Sequence, residues 1–159
     1  MISVERMLKH MAWSNQHVLH FLQELPDEAL DAYVVNPEWN VGRIVGHLVG
    51  ASGRLGYHLS RDEVTAVDRP QTMTDVAKLV PLCEKFDAVL LREAAKPDER
   101  VLVINSLGEN VWWRSTVVSQ AIHHATEHRA QIACALEAKG FAAPDLDEID
   151  LWAFESHNG

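Results

Sequence analysis

The 159-residue chain predicts an all-α fold: a four-helix bundle with a short hairpin before the last helix and a docked C-terminal tail. Three observations carry this. Four long segments place apolar side chains at helical spacing. Only one stretch shows β-prone runs around a turn. No internal repeat or low-complexity linker divides the sequence, so residues 1–159 read as one domain that buries its own core.

The first helix covers residues 4 to 25, where Val4, Met7, Leu8, Met11, Val18, Leu22 and Leu25 share one face and "LPDE" closes the segment. Asn40 is the N-cap of a second helix running to about Leu59, with Val41, Ile44, Val45, Leu48, Leu55 and Leu59 on one arc. A third opens at "TMTD", where Thr72 and Asp75 have the spacing of a capping box. Pro81 removes a backbone donor inside it and predicts a kink or a restart. "VLVINSLGENVWWR" reads as a hairpin turning at "LGEN". Ser115 is the expected cap of a fourth helix ending near Lys139, with Gly140 as its stop residue. The apolar patch of "PDLDEIDLWAF" then docks on the helices.

Charge removes one class of function. Fourteen basic against 23 acidic residues give a formal charge of −9, and no basic run exists to hold a phosphate backbone, so nucleic acid is not an expected partner. No apolar run approaches the ~20 residues of a membrane span, and no signal-peptide pattern opens the chain. Cys83 and Cys134 sit in apolar helical contexts. The expectation is a cytoplasmic protein with reduced thiols and no membrane partner.

Chemistry concentrates in "HHATEHRAQI", residues 123 to 132. At about 100° per residue, His124 and His128 lie side by side on the edge of the fourth helix's apolar arc, while His123 points roughly 100° away from His124. An i, i+4 pair can reach one ion, but a catalytic zinc usually takes three protein ligands. His47 flanks the apolar arc of the second helix in the same manner and is the candidate third ligand. The competitors are His58, three turns beyond His47, and His10 with His17 on the first helix; helix-surface or hydrogen-bonded core histidines are the plain alternative.

"HHATEHRAQI" resembles the H-x-x-x-H-R-G-Q-I motif of the DinB-like superfamily, also called YfiT-like, with His124, His128, Arg129, Gln131 and Ile132 matching and Ala130 in place of glycine. "WNVGRIVGHL", residues 39 to 48, is similar to the segment before that family's first metal histidine, with Asn40 where serine is usual. "GFAAPDLDEIDLWAF" resembles its close. The resemblance implies a four-helix bundle, often dimeric, in which His47, His124 and His128 hold a divalent metal such as zinc or nickel.

Imidazole suits zinc, nickel, copper or iron better than magnesium or calcium. A divalent ion with an open position activates water or a thiol, so hydrolysis and thiol transfer are the reactions open to it. The resemblance adds thiol-dependent S-transferases and isomerases that use low-molecular-weight thiols, and a stress-response setting. The first expectation is therefore a metal-dependent enzyme acting on a small molecule. The alternatives are non-catalytic metal binding and, from "HATEH", an H-x-x-E-H zinc peptidase with Glu127 as general base.

Three further features carry expectations. Arg129 falls within the fourth helix's apolar arc, where it either pairs with an acid from another helix or binds a substrate carboxylate. Gly42, Gly46, Gly50, Gly53 and Gly56 on the second helix read as a close-approach face, within the fold or across a homodimer, or as local laxity. Trp39, Trp112 and Trp113 are assigned to packing, with one of the last two a possible pocket wall.

Overall fold

The computed structural model describes residues 4–106 and 108–158. Most of them are helical: α1 (Val4–Leu22), α2 (Val41–Ser60), α3 (Met73–Ala94), α4 (Arg114–Ala138) and α5 (Leu151–Asn158), with short 3-10 turns at Asp27–Asp31 and Asp147–Ile149. Two antiparallel strands, β1 (Arg100–Asn105) and β2 (Gly108–Trp113), precede α4. Helix α1 packs on α3, α3 on α2, α2 on α4, and α4 back on α1. Leu8, Met11, Leu19, Leu22, Ile44, Leu48, Leu90, Ile132 and Leu136 meet at the centre with almost no exposure. Each such side chain contributes about 1.5–3 kcal/mol on leaving water. No helix among the described residues is long and apolar enough to cross a membrane.

Local chemistry sets the helix starts. The Asn40 side chain accepts from Arg43 N–H at 3.0 Å, and Thr72 and Asp75 form the reciprocal capping box. Asp27 reaches across to accept from Met73 N–H at 2.6 Å, fixing the entry to α3. Helix α4 ends in a Schellman motif: Phe141 N–H bonds Leu136 O, Gly140 N–H bonds Glu137 O, and Gly140 takes φ +78°.

Three sequence expectations need correction, and of the kink or restart expected at Pro81 the restart is excluded. Helix α1 stops at Leu22, not Leu25, because its last turn tightens into i→i+3 bonds ahead of Pro26, which has no donor. Helix α3 runs unbroken through Pro81, so there is no restart. The turn is not "LGEN": Gly108–Asn110 lie in β2, Asn105 pairs with Gly108, and Leu107 lies outside the described residues. Gly108 supplies φ +97°, a conformation that favours glycine. Ser115 is not the cap of α4, which starts at Arg114. Asp98, 17 residues earlier, accepts from Ser115 N–H at 2.9 Å and from Ser115 Oγ at 2.8 Å. The hairpin alone brings Asp98 there.

The tail docks as expected. Ser14 Oγ and His10 Nε2 both donate to Ile149 O, at 2.8 and 2.9 Å, Phe154 packs edge-on to Trp13, and Arg6 pairs with Glu155. His10 is thereby a pin for the tail.

The glycines of α2 serve approach within the chain. A Cβ on Gly46 would stand 3.2 Å from Arg69 Cα and Asp68 O, and one on Gly53 would stand 2.9 Å from the Phe86 ring. Gly42 and Gly46 therefore seat the segment leading to α3, while Gly53 and Gly56 seat α3 itself.

Candidate metal centre

His47 projects from the second turn of α2, while His124 and His128 stand one turn apart on α4; the packing of α2 on α4 brings the three rings together. Nε2 of His124 lies 2.9 Å from Nε2 of His47 and 2.9 Å from Nε2 of His128. A ligand atom from each ring falls within 4.8 Å of the others. In a tetrahedral centre with bonds of about 2.0–2.1 Å, nitrogens stand roughly 3.3 Å apart, so a small closing or opening of the rings seats a divalent ion. The cluster is compatible with a divalent metal.

Tautomer and charge favour that use. Gln131 Oε1 lies 2.8 Å from His128 Nδ1, and an amide oxygen only accepts, so Nδ1 carries the proton and Nε2 presents its lone pair. Trp39 Nε1–H donates to the same oxygen at 3.1 Å, and its ring stands edge-on to His47 at 5.3 Å. The bond from His128 Nδ1–H to Gln131 is the supporting hydrogen bond that metal-binding histidines normally have. Burial pushes His124 down to about 4, aided by the charges of His128, His47 and Arg54. Burial, then His128, Arg54 and Arg43, also lower His47. At neutral pH His124 and His47 are thus free of the protons that would compete with a cation.

The other candidates lie apart. His123 and Glu127 are exposed, and neither belongs to the cluster. His17 Nδ1 donates to Trp13 O at 2.9 Å, in the turn before it. Arg129 is buried, donating to Asn15 Oδ1 at 2.7 Å and to Thr126 Oγ1 at 3.1 Å. The expected ion pair to an acid of another helix does not form directly. Asn15 stands between, donating to Asp87 Oδ2 at 3.1 Å. Both cysteines are free, Cys83 buried and Cys134 exposed.

Two residues of the centre escaped sequence reasoning. Gln131 sits at i+3 from His128, the spacing that places it on the same face, and that signal was available. Trp39 precedes the cap of α2 and looked like core; only the tertiary fold carries it to Gln131. Next to the cluster, α2, α4 and the hairpin enclose a cavity of about 710 Å³ with His124 and Trp112 in its wall, so this tryptophan both packs on the core and lines the cavity.

Comparison with solved structures returns the same architecture. A crystal structure of a DinB-like protein from Bacillus cereus ATCC 10987 superposes with TM-score 0.67 at 20% identity, covering 86% of this chain and 91% of that one. No curated protein matches the chain in sequence. The sequence model of the DinB family matches residues 1–156, taking in α1 to α4, most of α5 and the three clustered histidines, and on that match the chain belongs to the DinB family.

Proposed function

We propose that this protein is a metal-dependent enzyme of thiol-transferase or hydrolase type, acting on a small molecule at a zinc or nickel site held by His47, His124 and His128. The observation that carries the reading is the convergence of three Nε2 atoms with the His128 tautomer fixed by Gln131. When bound there, a divalent ion with an open position supplies Lewis acidity to water or a thiol. The chain's own residues do the rest. Gln131 and Trp39 orient His128, and the cavity beside His124 admits a small molecule while giving it apolar walls. In this reading residues 1–159 form one domain, a four-helix bundle of α1 to α4, working as a cytoplasmic homodimer. Light scattering on the purified protein tests the dimer.

The test of the centre is metal content. Untagged protein, measured by inductively coupled plasma mass spectrometry, is expected to hold about one zinc or nickel per chain, as a three-histidine site does. His47→Ala and His124→Ala are expected to lose it. A protein that neither holds nor takes up either metal, or variants that both retain it, would defeat the reading. Metal binding with no thiol transfer or hydrolysis across a substrate screen would leave metal carriage in place of catalysis.

A further inference from the structure

We infer that the cavity beside His124 selects a carboxylate-bearing small molecule with an apolar body, with Arg54 as its anion anchor; this rests on the function proposed above and names its substrate class.

The argument starts from charge. The chain carries nine more acids than bases, yet no Asp or Glu lines this cavity. Arg54 is its one permanently charged wall residue. Among the described residues Arg6, Arg69, Arg92 and Arg114 are ion-paired, whereas the Arg54 side chain makes no hydrogen bond and no ion pair. Its guanidinium folds back toward the N-terminus of α2, with Nη1 3.0 Å from where a Cβ on Gly50 would stand. Gly50 is one turn beyond His47, so the free cation lies over the turn next to the histidines. A planar guanidinium with unused donors matches a carboxylate bidentately.

His58 is the second observation. It shares the face of α2 with His47 and Arg54, at 11 and four residues' spacing, lines the cavity, and is 9% exposed. Neither ring nitrogen has a hydrogen-bond partner among the described residues, and Nδ1 is buried without one. Burial, with Arg61 and Arg54 nearby, holds this ring below its ordinary value and so uncharged at neutral pH, a donor for a polar ligand atom. Leu55, Val103, Trp112 and Val117 supply apolar surface between these polar groups and the hairpin. A volume near 710 Å³ suits a ligand of drug size.

The test compares three probes sharing one body: 4-phenylbutyrate, its neutral amide, and 4-phenylbutylamine. Their binding is measured by NMR titration of the full chain, as purified and after chelation, with folding checked by circular dichroism. The expected result is a preference for the carboxylate over the amide of tenfold or more in both states, and weakest binding of the amine. Arg54→Met is expected to abolish the preference and Arg54→Lys to keep part of it; both changes fall on an exposed side chain. Equal binding of the three probes, binding of none, or a preference that survives Arg54→Met in chelated protein would overturn the inference. The chelated arm separates the two readings. A preference there that depends on Arg54 stands even if no metal binds, and a metal site that passes its own test stands even if the preference is missing.

Discussion

Helix α4 carries two polar assemblies whose nearest members, His128 and Arg129, are chain neighbours, yet they have opposite characters. On one side, the histidine trio gathers three ring nitrogens that have only one another to address. On the other, Arg129 meets Asn15 and Thr126, Asn15 meets Asp87, and Cys83 Sγ–H donates to Asp87 at 3.5 Å. Burial lowers Arg129 to about 10, with Asp87 and Cys83 opposing it, and raises Asp87, with hydrogen bonds from Asn15, Ser52 and Cys83 opposing it. The Arg129 assembly contains its own counter-charge and sits in the core. The trio contains none, and it adjoins a cavity. A buried polar group reads as structural when its partners are internal, and as a ligand set when what would satisfy it must come from outside.

The largest expected effect breaks the closed assembly. Arg129→Met leaves the buried Asp87 without its nearby cation and is expected to cost about 3 kcal/mol or more in urea denaturation, while metal content per folded chain stays unchanged. Loss of metal without loss of stability would reverse the two roles.

Gln131→Ala probes the open assembly from its support. With the His128 tautomer no longer fixed, zinc affinity in a competition titration is expected to fall about 10- to 100-fold, with little change in unfolding midpoint. An unchanged affinity would remove Gln131 from the centre.

Acid sharpens the contrast further. His124 is lowered from 6.5 to about 4, so between those values the unfolded chain binds the proton that the folded chain refuses. In metal-free protein the stability of the wild type relative to His124→Gln is therefore full above about pH 6.5. It is lost progressively as pH falls toward 4, and measuring the difference cancels the opposite titration of Asp87. A difference that is flat across this window would show that His124 is not held neutral. The smallest effect belongs to His123→Ala, an exposed neighbour on the same helix, expected within about 0.5 kcal/mol of wild type and with full metal content.

Helix spacing made much of this legible. The periodic runs located the four long helices, Asn40 and the Thr72–Asp75 pair marked two of their starts, and the 40° offset of His124 and His128 selected the pair that the fold presents to His47. What the sequence hid shares one cause. Asp98 caps α4 through the hairpin, Trp39 reaches Gln131 92 residues away, and Asn15 joins Arg129 to Asp87 across three helices. Each partner is distant in the chain, and no local pattern encodes it. Asn15 in particular lies on the buried face of α1 with Met11 and Val18, and its polarity on that face is a clue to a buried partner.

The glycines of α2 have a consequence for aim. A helix is close to a cylinder, and side-chain packing alone leaves its rotation about its axis soft. Gly46 and Gly53 cut notches in that cylinder, filled by the Arg69 backbone on one side and the Phe86 ring on the other. They work as a keyway does on a shaft: only one angular setting lets both neighbours seat. His47 follows Gly46 directly, so the direction in which its imidazole points is indexed by two side chains that are not there.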